Sequence, residues 1–190
     1  MQAPFVIALF MVFIAEMGDK TQLVALAFAT RYAARTVLAG VFVATLLVHL
    51  FSVVLGELVG ITLPIFWVKL LAGVAFLGFG WWTLRGDEFT ETDQLAERSV
   101  GPMLTVATTF FLAELGDKTM LATVTIASQQ HDFVGVWLGS TVGMVVADGL
   151  AIILGKVLGK QLPETAIKYS AAAIFIVTGA VTLLDAVWTR

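Results

Sequence analysis

The chain of 190 residues contains no cysteine, which excludes a disulfide framework, an iron–sulfur cluster and a thiolate zinc site. It has two histidines, His49 and His131, too few for a soft nitrogen-ligand metal centre, so any metal it handles is held by oxygen. Charge is scarce as well: 13% of residues are charged, and the net charge is −3. With no basic cluster there is no electrostatic footprint for nucleic acid. What is present is apolar. The hydrophobic set makes up 59% of the chain and the mean hydropathy is +0.95, against roughly half apolar and about a quarter charged in a soluble domain. These proportions imply a protein whose solvent, and principal partner, is membrane lipid.

A spanning helix needs about 20 mainly apolar residues, and six runs qualify: 5–30, 36–59, 64–84, 103–128, 134–158 and 163–188. The first lacks the basic leader of a secretory signal and carries Glu16, Asp19 and Lys20, so it is expected to be a mature helix. Sliding the second half onto the first by 98 or 99 places superposes Gly40 with Gly139, Leu63-Pro64 with Leu162-Pro163, Lys69 with Lys168 and Gly80 with Gly179. The expected fold is therefore all-α and integral to the membrane, with six transmembrane helices in two three-helix repeats. The repeats occupy residues 1–86 and 101–190, joined by a cytoplasmic acidic linker over 87–100. An odd number of spans per repeat inverts one copy relative to the other. Arg31, Arg35, Arg85, Arg98, Lys156 and Lys160 gather on one side, with Lys168 able to reach toward it, and Lys69 and Arg190 remain on the other. The richer side is expected in the cytoplasm, with both termini outside. Glycines four apart (Gly56 and Gly60, Gly135 and Gly139, Gly139 and Gly143, Gly155 and Gly159) suit close helix packing in lipid.

The feature that composition does not predict is Glu16-Met17-Gly18-Asp19-Lys20-Thr21, repeated as Glu114-Leu115-Gly116-Asp117-Lys118-Thr119. Both copies interrupt apolar runs, where an ionised side chain costs about 3 kcal/mol or more and marks a functional site. On a helix, Glu16 and Asp19 share a face, as do Glu114 and Asp117. Inverted repeats bring mid-helix residues together near the membrane midplane, so the four carboxylates are expected to meet. Gly18 and Gly116 weaken the helices locally and free backbone carbonyls, and Thr21, Thr119 and Gln22 offer further oxygens, Gln22 without a counterpart at Met120. Such a set suits a hard divalent cation: manganese, calcium or magnesium. Four carboxylates against Lys20 and Lys118 leave a formal −2, which one divalent ion cancels. Without metal the same cluster reaches neutrality by taking up protons, because like charges held close repel. Metal and protons then compete for one site, the physical basis of an exchanger. The two lysines either neutralise acids in buried ion pairs or reach away from the site. His49 and Asp148 also superpose in the repeat and are candidates for a proton path. Glu57 and Lys156 fall at helix ends, and His131 and Asp132 in a short loop, with no role assigned.

Two copies of Glu-x-Gly-Asp-Lys-Thr, in the first and fourth of six apolar segments, resemble the cation/proton exchangers that include Golgi manganese and calcium transporters, a chloroplast manganese transporter and bacterial manganese exporters. The resemblance covers essentially the whole chain. It implies metal binding by Glu16, Asp19, Glu114 and Asp117, and transport of manganese, with calcium second, against protons. It implies no cofactor and no enzymatic activity, and a bacterial inner membrane as the location. Amino-acid exporters of related topology keep a small-solute exporter as an alternative. A passive divalent cation channel is another. An intramembrane aspartyl protease using Asp19 and Asp117 fits poorly, since a dyad sharing one proton is ill served by two added glutamates and two lysines.

Overall fold

In the computed structural model, which describes residues 2–85, 101–158 and 164–188, every element is a helix. Two of the expected helices are each replaced by a pair. α1 (Gln2–Glu16) and α2 (Lys20–Arg31) stand in place of one helix over 5–30. After α3 (Ala34–Thr62) and α4 (Ile65–Arg85), the pair α5 (Pro102–Glu114) and α6 (Lys118–Gln130) stands in place of one over 103–128. α7 (Phe133–Leu158) and α8 (Glu164–Trp188) complete the chain. The expected linker at 87–100 lies outside the described residues, as do Gly159, Lys160, Pro163 and Arg190, and only the backbone of Lys20, Lys156 and Lys168 is described.

Three stretches are long and apolar enough to cross a membrane: Ala34–Thr62, Ile65–Arg85 and Phe133–Leu154. α1 and α5 are apolar but short. At 1.5 Å per residue they reach only about 20 Å, less than a hydrocarbon core of about 30 Å. The distribution of polarity is that of a lipid-solvated protein. Glu16, Glu114, His49 and Asp148 are fully buried, while Phe10, Phe51, Trp81, Leu112 and Ile153 face outward.

Small residues set how the helices pack. α1 lies along α7, and α3 along α5 and α6. A Cβ on Gly40 of α3 would come within 2.8 Å of the Met103 carbonyl oxygen and 2.7 Å of Val106 Cβ on α5. One on Gly139 of α7 would collide with the Phe5 carbonyl and come within 3.1 Å of Ala8 Cβ on α1. Met103 and Val106 are the residues 98 places after Phe5 and Ala8. Gly56 and Gly60 are closed in the same way by the α6 backbone, where a Cβ on Gly60 would lie 2.6 Å from the Ser128 oxygen. Gly135 is different, since its neighbour is the Asp132 side chain of the preceding turn. α4 and α8 pair mainly with each other: a Cβ on Gly80 would lie 3.2 Å from the Ala172 carbonyl oxygen, and one on Gly179 2.8 Å from the Gly73 carbonyl oxygen. Phe76 stacks on Phe175, and Lys69 Nζ meets Asp185 Oδ2 at 2.7 Å.

Candidate cation site

Both motifs end one helix and begin the next, and they do so with the same backbone. Gly18 has φ 78° and Gly116 φ 80°, a left-handed conformation that costs other residues about 1–2 kcal/mol and stops a helix at its C-terminus. In the first break the Asp19 N–H donates to the Glu16 carbonyl at 3.0 Å, and in the second the Asp117 N–H donates to the Glu114 carbonyl at 3.2 Å. The expectation that glutamate and aspartate share one helix face is thus corrected. Each glutamate closes a helix and each aspartate sits in the turn before the next, because the intervening glycine reverses the sign of φ.

Side chains close each break from within. Thr21 donates to Glu16 Oε1, and Thr119 donates to Glu114 Oε2 at 2.6 Å. The Gly18 N–H donates to Gln22 Oε1 at 2.8 Å, and the Gly116 N–H donates to Met120 Sδ at 3.1 Å. Met120 thus takes the place of Gln22 in this one backbone bond, an equivalence that comparing residue types does not suggest. Gln22 also donates through Nε2 to the Ala147 carbonyl of α7 at 3.2 Å, which pins the first break to the helix that carries Asp148.

The breaks meet in the protein interior. Glu114, Asp148 and Asp19 each stand close enough to act on Glu16 by charge repulsion, and Glu114 acts on Asp148 in the same way. Asp148, placed by sequence on a proton path, belongs to this carboxylate group, and neither of its oxygens has a hydrogen-bond partner among the described residues. Lys118 crosses from the second motif to the first, with Nζ 3.0 Å from Asp19 Oδ1 and both side chains almost fully buried. Of the two fates expected for the lysines, Lys118 takes the ion pair. Doubling of the motif brings the two copies together but does not say which aspartate a lysine serves. Asp117 is nearly buried at the start of α6 and makes no side-chain cap to it. His49 is fully buried, and neither ring nitrogen has a hydrogen-bond partner among the described residues.

Among the described residues no three of these acidic or imidazole groups yet form a ligand shell. The threonine hydroxyls hold the two glutamates and Lys118 holds Asp19. Chemically the arrangement is a buried carboxylate cluster with less positive charge than negative, which binds cations or protons to approach neutrality.

The chain matches one family along nearly its whole length. The profile of "Divalent cation/proton antiporter GDT1" matches residues 4–91 and again residues 102–189. A "Putative manganese exporter" of Vibrio cholerae is 33% identical over 171 residues, covering 89% of this chain and 84% of the relative. "GDT1-like protein 4" of Arabidopsis thaliana is 29% identical over 223 residues, covering 96% of both. "Protein PAM71, chloroplastic", also of Arabidopsis thaliana, is 31% identical over 214 residues, covering 96% of this chain and 57% of the relative. No solved structure matches the chain at significance. A membrane-type helical fold, paired breaks that gather buried carboxylates, and a family match from residue 4 to residue 189 place this protein in the GDT1 family of divalent cation/proton antiporters, transporters and not enzymes.

Proposed function

We propose that this antiporter exports manganese, with calcium as the second substrate, in exchange for protons through a central site formed by Glu16, Asp19, Glu114 and Asp117. The observation that carries this reading is that Glu16 and Asp19 of the first break, Glu114 of the second and Asp148 of α7 gather in one buried cluster. Oxygen-only ligands suit manganese and calcium, and the name of the Vibrio cholerae relative supports manganese and the outward direction. Asp148 adds a fifth carboxylate and, with His49, a route for protons.

The proposed architecture is six spans in two inverted three-helix repeats, α1/α2 with α3 and α4, then α5/α6 with α7 and α8. The two stretches matched by the family profile support the division at residues 1–86 and 101–190. So do the paired contacts of Gly40 and Gly139, and of Gly80 and Gly179. Thr45 Oγ1 lies 3.5 Å from Met144 Sδ, a residue 99 places later, as expected where a two-fold axis passes between equivalent positions. Both termini lie outside a bacterial inner membrane in this reading, supported by the basic residues of the opposite side.

Competition between metal and protons for the same carboxylates couples the two flows. The test is flux in proteoliposomes with manganese, calcium or magnesium, with and without an imposed pH gradient. Uphill manganese movement driven by the gradient is the expected result and distinguishes an exchanger from a channel. Glu114→Gln is expected to abolish flux while leaving folded protein. Flux that ignores the pH gradient, or survives that substitution, overturns the reading.

A further inference from the structure

We propose that Lys118 is the resident counter-cation of this site: its ammonium occupies Asp19 when no metal is bound, and an arriving divalent cation has to displace it. The inference rests on the four-carboxylate reading above. It starts from the 3.0 Å contact between Lys118 Nζ and Asp19 Oδ1, whose side chains are 4% and 0% exposed. An ammonium that far from water is retained only if it is paired, and Asp19 supplies the pair from the other motif.

The geometry makes that pair a competitor for the cargo. Lys118 is the first residue of α6, anchored where the second break ends, and it extends along a flexible four-carbon stem. Asp19 belongs to the carboxylate group that acts on Glu16. A divalent ion drawn in by Glu16, Glu114 and Asp19 arrives beside the ammonium, and two cations in a low-dielectric interior repel strongly. Among the described residues no three acidic groups form a shell, so metal loading requires side chains to move, and a four-carbon stem gives Lys118 more freedom to do so than Asp19 has. Carboxylate-bound metal and carboxylate-bound lysine are then alternative states. The site keeps a positive charge in both, and this charge lets it remain buried between transport steps.

A lysine that only locks the bundle and a lysine that competes with cargo predict opposite rank orders of affinity. The experiment is manganese binding to purified full-length protein in detergent, read from the electron paramagnetic resonance of free Mn²⁺, with metal-free unfolding temperatures as the folding control. Removing the competitor in Lys118→Gln should tighten binding by at least about tenfold, the lower end of what one neighbouring charge does to a carboxylate. Lys118→Arg should weaken it several-fold, since a planar guanidinium grips a carboxylate at two points. A structural lock gives the reverse, with the arginine variant near wild type and the glutamine variant weakest. If Lys118→Gln does not fold, the arginine variant decides: weakened binding supports the competitor, and wild-type binding overturns it. Binding by the wild type with no tightening in a folded Lys118→Gln protein overturns this inference alone. A wild type that binds none of manganese, calcium or magnesium overturns the cation site and this inference with it.

Discussion

The Thr119 hydroxyl donates to Glu114 Oε2 at 2.6 Å, and so ties the first turn of α6 to the last residue of α5 across the glycine break. Thr21 and Glu16 repeat this bond in the first motif. Thr119→Val keeps the shape and removes the donor, which leaves a buried carboxylate oxygen short of a partner at about 1–3 kcal/mol. The variant is expected to unfold at lower temperature and to transport more slowly, whereas Thr119→Ser should retain most of both. Thermal unfolding in detergent beside proteoliposome flux checks the pair.

Gly116 has space for a side chain but not the conformation, since no atom lies within 4 Å of a Cβ there while φ is +80°. Gly116→Ala should therefore destabilise by backbone strain alone, about 1–2 kcal/mol, and Gly116→Asn by less because asparagine tolerates the left-handed region. The ordering Gly, Asn, Ala in unfolding midpoint is the measurement. Equal stability of the alanine and wild-type proteins would show that the break is not held at this residue.

Gly40 and Gly78 separate close approach from composition. A methyl on Gly40 meets the Met103 backbone oxygen and Val106 Cβ, neither of which yields without moving α5, whereas one on Gly78 meets nothing within 4 Å. Gly40→Ala is expected to cost about 1–3 kcal/mol by overpacking. Gly78→Ala is expected to be neutral or to stabilise by up to about 1 kcal/mol through helix propensity. Comparative unfolding of the two single variants decides it.

Asp132 caps α7, with Oδ1 accepting the Gly135 N–H at 3.0 Å. This bond holds the carboxyl below its ordinary value. A depressed folded value means that the stabilisation is present above the unfolded value, near 3.9, and is lost as pH falls through the folded one. Asp132→Ala should therefore speed amide hydrogen exchange at Gly135 at neutral pH. The difference from wild type should close as the pH is taken below about 4.

The class of the protein was legible in composition, because lipid selects apolar residues over whole helices and that selection is written in every segment. Four of the six expected runs appear as continuous helices near their expected ends. The doubled motif was equally legible, since charge inside apolar runs stands out without any knowledge of shape. The break at each motif was only half legible. Gly18 and Gly116 announce weakness, but a glycine in an apolar run can also stay helical, as Gly73 and Gly80 do in α4. Residue spacing carries no information about the sign of φ.

The site divides in the same way. The proposal that Glu16, Asp19, Glu114 and Asp117 form the site rests on residue type and repetition. That Lys118 reaches Asp19, that Met120 accepts the glycine N–H as Gln22 does in the other break, and that Asp148 stands with Glu16 and Glu114 were decided only by the tertiary structure. The membrane imposes its selection on every residue separately, so it is recorded along the chain. A buried charge is satisfied by whichever group the packed helices set within a few ångströms of it, and for Asp19 that group, Lys118, comes from the other motif about a hundred positions away.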